Sequence, residues 1–159
     1  MSITNPHDLI FKQTQRHIEN AVDYIKGTFP QNLVKNLDLA KLKLEESSYT
    51  TEELKEYFSD LVYQCTYKGT TEIKITLLFE HKSFKPQYPL IKLLQYMLNI
   101  WERQIQEKRS LTPIIPVLFY HGKEKWEIKS FYDYFPGIDE QLKSFIPCFS
   151  IIFTNITSI

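Results

Sequence analysis

Two alternating runs on either side of a tight turn constrain this chain more than any other feature. Residues 59–67 (Ser-Asp-Leu-Val-Tyr-Gln-Cys-Thr-Tyr) and 72–80 (Glu-Ile-Lys-Ile-Thr-Leu-Leu-Phe-Glu) are rich in aromatic and β-branched residues, and Lys68-Gly69-Thr70-Thr71 between them carry turn chemistry. They predict a β-hairpin. With a three-residue loop in which Gly69 supplies a dihedral that other residues avoid, Lys68 faces Glu72. One face then pairs Tyr67 with Ile73, Cys65 with Ile75, Tyr63 with Leu77 and Leu61 with Phe79, all apolar. The other pairs Lys68 with Glu72, Thr66 with Lys74, Gln64 with Thr76, Val62 with Leu78 and Asp60 with Glu80. A one-residue slip would set Asp60 against Phe79 and mix polar with apolar partners, so the pattern selects against it.

Directly opposed carboxylates repel and cost stability unless a cation lies between them. Mg²⁺, or Mn²⁺ in its place, takes oxygen ligands, commonly one or two carboxylates with waters and a substrate phosphate, and Asp60 and Glu80 supply such a pair. Lys82 follows Glu80 by two residues and so shares its face, where an amine would orient an attacking water or stabilise charge on phosphoryl oxygens. His81 alternates to the opposite face, which makes its backbone carbonyl rather than its ring the expected metal ligand. The alternative is a surface carboxylate pair neutralised by Lys82 or Lys74.

Around the hairpin, the order of elements is legible. A first helix is expected from Asp8 to about Lys26, with Phe11, Ile18, Val22 and Ile25 at helical spacing and Gly27 as its stop. Pro30 opens a short second helical stretch, and Leu37–Leu44 alternates in its later half, reading as a first strand. Leu90, Ile91, Leu94, Met97, Leu98 and Trp101 form an amphipathic helix to about Arg109. Thr112–Tyr120, ending at His121-Gly122, reads as a buried fourth strand, and Cys148–Phe153 as a further one.

These residues resemble a known group. Asp60, then Glu80-x-Lys82, then a helix carrying Gln95-Tyr96, is similar to the pattern of the PD-(D/E)XK phosphodiesterase superfamily, and within it to the recombination-promoting nucleases, also described as YhgA-like transposases. His7-Asp8-x-x-Phe11-Lys12, Phe58-Ser59-Asp60-Leu61-Val62-Tyr63, Leu78-Phe79-Glu80-His81-Lys82-Ser83, Leu94-Gln95-Tyr96-Met97 and Ile115–Gly122 carry the likeness in the expected order, across nearly the whole chain. The resemblance implies an α/β, restriction-endonuclease-like core: helix, three antiparallel strands, helix, strand, with a central mixed sheet flanked by helices. It implies a metal-dependent DNA endonuclease that promotes recombination or transposition, with Asp60, Glu80 and Lys82 catalytic and Gln95 supporting the metal site. Asp60, Glu80 and the His81 carbonyl would hold the ion. Many relatives carry Gln where this sequence has Lys82. Relatives also commonly run longer, so the expectation for residues 1–159 is a single nuclease-like domain lacking a carboxyl-terminal segment. A catalytically weak DNA-binding or protein-interaction module on the same fold remains the alternative, and strand joining through three carboxylates is disfavoured by the amine of Lys82.

Composition adds limits. The chain has 159 residues, of which 43% are hydrophobic, enough for one packed core. Cys65 and Cys148 lack CxxC spacing and read as reduced residues of a cytoplasmic protein; no apolar run is long enough to cross a bilayer. The expected partner is DNA rather than a membrane, with a homodimer among the assemblies open to it. Nineteen basic and nineteen acidic residues give a net charge of zero, against the basic footprint of most nucleic-acid binders. Local clustering of Lys82, Lys85, Lys92, Arg103, Lys108 and Arg109, with Lys12 and Arg16 on the first helix, offsets this, although such runs commonly form the solvated face of a helix. Asp8 reads as a helix cap, His7 as a phosphate contact, Glu19 as a solvated acid, and His121 has no assigned role. No zincin motif, Gly-rich phosphate loop or dinucleotide fingerprint is present.

Overall fold

The computed structural model describes residues 17–81, 87–120 and 130–155. Helices α1 (His17–Thr28) and α2 (Gln31–Val34) precede strands β1 (Lys43–Leu44), β2 (Phe58–Tyr67) and β3 (Thr71–Glu80). Helix α3 (Pro89–Gln106) leads to β4 (Ile114–Tyr120), and β5 (Ile152–Asn155) follows two short 3-10 turns. The sheet is mixed and its five strands lie in sequence order, β1-β2-β3 antiparallel and β3-β4-β5 parallel. The segment between β3 and β4, which contains α3, is the long crossover that a parallel pair requires.

β3 is the middle strand and the most buried: every residue from Ile73 to Glu80 is covered. A strand roofed on both faces must satisfy two surroundings, and its parity separates them. Ile73, Ile75, Leu77 and Phe79 join Tyr63, Cys65, Val117 and Phe119 against Ala21, Ile25 and Phe29 of α1 and its exit. The Phe79 and Phe119 rings stack at 4.7 Å. On the other face Val62, Leu78 and Leu118 pack against Leu90, Leu93, Tyr96, Met97 and Ile100 of α3. The wide apolar side of α3 is what the sequence periodicity demands.

The hairpin register differs from the expected one by two residues. Tyr67 stands opposite Thr71, Asp60 opposite Leu78, and Phe58 opposite Glu80. Lys68 and Gly69 both adopt positive φ (52° and 74°), and the Thr70 amide donates to the Tyr67 carbonyl, so the turn closes before Glu72 can face Lys68. An even shift preserves which side chains share a face; Tyr63 with Ile75, Cys65 with Ile73 and Leu61 with Leu77 are still apolar pairs, while Tyr67 and Phe79 at the two ends face Thr71 and Ser59. Alternation thus fixed the faces and left the register to the turn.

The expected first strand shrinks to Lys43–Leu44, because a 3-10 turn at Leu39–Lys41 ties up the Asp38 and Leu39 carbonyls; Leu37 makes only an isolated bridge to Tyr67. Gly27 lies inside α1 rather than stopping it, and the expected start at Asp8 falls outside the described residues. Pro116, which has no amide hydrogen, sits in β4 just before the four residues that pair with β5.

Tyr63 is fully buried on the α1 face, and its hydroxyl has no hydrogen-bond partner among the described residues. Burial pushes its phenol up to about 12 from 10, so the fold favours the neutral form. That contribution is whole below the unfolded pKa and falls away as pH rises from 10 towards 12. Tyr63→Phe is therefore expected to be neutral or stabilising in urea unfolding at pH 7, and to lessen the alkaline loss of stability; a cost above about 1 kcal/mol at pH 7 would show that the hydroxyl is partnered.

Candidate active site

Asp60 lies opposite Leu78, and Leu78 and Glu80 are two apart on β3, so both carboxylates face α3. They occupy diagonal rather than directly opposed positions, a spacing of about 7–8 Å between Cα atoms in antiparallel pairs that long side chains can still bridge. Both are buried, Asp60 to 8% exposure and Glu80 to 3%.

Asp60 is held by three donors. The Ser48 hydroxyl donates to Oδ1 at 2.5 Å, and the Tyr49 amide and the Tyr96 hydroxyl donate to Oδ2 at 2.9 and 2.7 Å. Burial first, and then the Asp60 charge, hold the Tyr96 phenol well above its ordinary pKa, so it remains a donor across the physiological range. The 48–49 segment is fastened to α3: Asn99 Nδ2 donates to the Tyr49 carbonyl, Arg103 Nη1 donates to the Ser48 carbonyl at 3.3 Å, and the Arg103 guanidinium lies 4.4 Å over the Tyr49 ring.

A second charged network shares this face. Lys74, with 2% of its side chain exposed, donates to Glu45 Oε1 at 2.6 Å, and Gln64 Nε2 donates to the same oxygen at 2.5 Å. The Tyr49 hydroxyl also reaches Glu45 Oε1, at 3.3 Å. Glu45 Oε2 is buried and accepts no hydrogen bond from the described residues. Tyr49 thus links the two carboxylates, with its amide on Asp60 and its hydroxyl on Glu45. Sequence reading did not select Glu45, Ser48, Tyr49 or Tyr96 as site residues, and placed Lys74 only as a surface counter-charge. A lysine between two isoleucines of a strand was the available signal; nothing in the sequence located its partner.

Gln95 is exposed on α3, and the side chain that reaches Asp60 belongs to its neighbour Tyr96. His81 is half-buried and donates its amide to the Tyr57 carbonyl at 2.8 Å. Glu19 is exposed on α1. Lys82, His7, Asp8 and His121 lie outside the described residues. Cys65 and Cys148 are both free; burial raises the Cys65 thiol to about 11, which keeps it protonated. Among the described residues, no group of three or more His, Cys, Asp or Glu converges as a metal site. Two carboxylates remain a fitting donor set for a hard cation that keeps several waters: Asp60 Oδ1 accepts a single hydrogen bond from the described residues and retains a lone pair.

The chain belongs to the family described as "Putative transposase, YhgA-like", whose profile matches residues 5–159. It is similar to the recombination-promoting nuclease RpnD of Escherichia coli O157:H7, with 33% identity over 75% of this chain and 46% of that protein. It is similar also to the recombination-promoting nuclease RpnC of E. coli K12, with 30% identity over 76% of this chain and 40% of that one. A third E. coli K12 relative, the inactive recombination-promoting nuclease-like protein RpnE, is 30% identical over 76% of this chain and 40% of its own length. The chain therefore spans less than half the length of these relatives. No solved structure matches it.

The Lys74–Glu45 pair yields a test in double-mutant form. Removing one partner, as in Lys74→Met or Glu45→Leu, is expected to cost about 3–5 kcal/mol in urea unfolding, because the other charge is left buried. The double variant should lose less than the two singles together; strictly additive losses would mean the pair is uncoupled.

Proposed function

We propose that this chain is the catalytic domain of a divalent-metal-dependent DNA endonuclease with a restriction-endonuclease-like core, which hydrolyses phosphodiester bonds and so promotes recombination or transposition. The observation that carries this reading is the placement of Asp60 and Glu80 on one face of adjacent strands, in a family with relatives named as nucleases. The mixed sheet with helices on both faces is consistent with such a core.

Asp60, Glu80 and the His81 carbonyl would hold Mg²⁺ or Mn²⁺, which when bound supplies Lewis acidity and a water of lowered pKa. The hydrogen bonds from Tyr49 and Tyr96 fix the Asp60 carboxylate and direct its less encumbered oxygen, Oδ1. Lys82, two residues beyond Glu80, would orient the attacking water or stabilise charge on the phosphoryl oxygens. Gln95, exposed on the same helix, would act through the solvent side of the site, whereas Tyr96 supports Asp60 from within.

A second reading, a DNA-binding or protein-interaction module without strong catalysis, is favoured by the burial of both carboxylates and by the relative named as inactive.

Supercoiled plasmid incubated with Mg²⁺, Mn²⁺ or EDTA distinguishes the two. Metal-dependent nicking is expected, falling at least about a hundredfold in Glu80→Ala and in Asp60→Asn, while Lys82→Gln retains part of the activity. DNA binding without cleavage by folded protein would favour the second reading. Loss of both binding and cleavage would overturn the nuclease reading and the DNA-binding form of the second.

A further inference from the structure

Beyond the carboxylates, at the turn end of the hairpin, the face covered by α3 opens into a cavity of about 230 Å³. Helix α3 has already ended at Gln106, so the sheet there lacks its roof. Four cationic side chains, Lys41, Lys43, Lys74 and Arg109, line the cavity against one carboxylate, Glu72, with Thr112 among the neutral donors. Three of the four have counter-charges behind the lining: Lys74 pairs with buried Glu45, while Lys41 meets Asp38 at 3.9 Å and Arg109 meets Glu107 at 3.4 Å in exposed pairs, which hold little energy and leave those cations open to exchange for a better anion.

The cations are placed by backbone structure. Lys43 belongs to β1 and pairs across with Gln64. Arg109 follows a helix end in which the Lys108 amide bonds the Ile105 carbonyl and the Arg109 amide bonds the Gln104 carbonyl, with Lys108 at φ 58°. These paired bonds, with a left-handed residue between, form a Schellman closure. Gln104 then clasps Thr112 through both its amide atoms, Nε2 donating to Oγ1 at 2.9 Å and Oε1 accepting from the Thr112 amide at 3.1 Å. The Arg109 backbone is therefore held between a capped helix and the start of β4. Lys74 forms part of the buried lining, already compensated by Glu45, while Lys41, Lys43 and Arg109 are exposed at the rim.

We propose that this cavity binds a phosphate group, either a backbone phosphodiester or a terminal phosphomonoester of the nucleic-acid strand. The proposal rests on the nucleic-acid reading above for its source, and on the cavity's own charge for its chemistry. A tetrahedral anion with several acceptor oxygens suits cations converging from the β1 edge, the sheet and the helix end. Gln64 lies four residues along β2 from Asp60, about 13 Å at strand rise, so a strand engaging both sites would extend over about four nucleotides.

Anisotropy titrations of short labelled oligonucleotides, 5′-phosphorylated or 5′-hydroxyl, test this across a salt series. The Lys43→Ala/Arg109→Ala variant alters two exposed side chains, and Lys26→Ala/Lys35→Ala, which alters two exposed lysines outside the cavity's lining, is the control. The pocket variant is expected to bind about tenfold more weakly and to lose about one counterion from its salt slope, the control to match the wild type. Equal weakening for both oligonucleotides assigns a backbone phosphate; weakening only for the phosphorylated one assigns a terminal phosphate. Wild-type affinity and slope in the pocket variant overturn the proposal. Thermal unfolding with inorganic phosphate separates it from the nucleic-acid reading. If no oligonucleotide binds but phosphate raises the wild-type Tm and not the variant's, the pocket stands and the nuclease reading fails; if phosphate has no effect either, the pocket fails too.

Discussion

A lysine ammonium buried in the middle of a sheet is the constraint around which this molecule is arranged. Lys74 lies in β3, covered on both faces, and a charge removed from water needs both a counter-charge and hydrogen bonds. Glu45 supplies them from just beyond β1, where its own amide bonds the Val62 carbonyl at 2.7 Å. Bringing Glu45 over the sheet also brings the chain that follows it. Ser48 and Tyr49 then fall on Asp60, and Asn99 and Arg103 of α3 hold that segment in place. The candidate site is thus partly a by-product of solving a solvation problem several residues away.

The two faces of the sheet divide the work. The α1 side is almost wholly apolar, with Tyr24 of α1 tilted on Phe119 at 5.0 Å and its hydroxyl bonded to Thr154 of β5. The α3 side mixes apolar contacts with Asp60, Lys74, Thr76, Glu80 and Gln104, all buried. Buried polar groups lower stability unless satisfied, and concentrating them on one face leaves the other free of that requirement, while both faces contribute apolar core.

Much of this was legible in the sequence for a simple reason: period-two alternation reports faces. It put Asp60 and Glu80 together on one side and Tyr63, Cys65, Ile75 and Leu77 on the other, and both placements hold. It was blind to a shift of two residues, which only the positive φ of Lys68 and Gly69 decides. The helical spacing of apolar residues in α3 located that helix to within a few residues, while Gln95 and Tyr96, adjacent in sequence, differ by a full helical step in direction, and Tyr96 is the one facing inward. Glu45 and Ser48 were invisible because their partners are distant in the chain, and no local pattern encodes a contact between a loop and a strand.

The neighbour order of the sheet has a bearing on how the chain assembles. β2 and β3 are joined by a tight turn and share ten pairs, beginning four residues apart at Tyr67 and Thr71, whereas β4 and β5 pair across an interval that includes both 3-10 turns. Loop-closure entropy favours the hairpin as the earliest nucleus, with the parallel strands and α3 joining later. Asp60 and Glu80 are then neighbours before anything covers them. In the native state, the same ordering makes the Ser48–Tyr49 segment a cover over Asp60 that is fastened by a few polar bonds, so its opening can expose that carboxylate at a lower free energy than unfolding of the sheet or of α3.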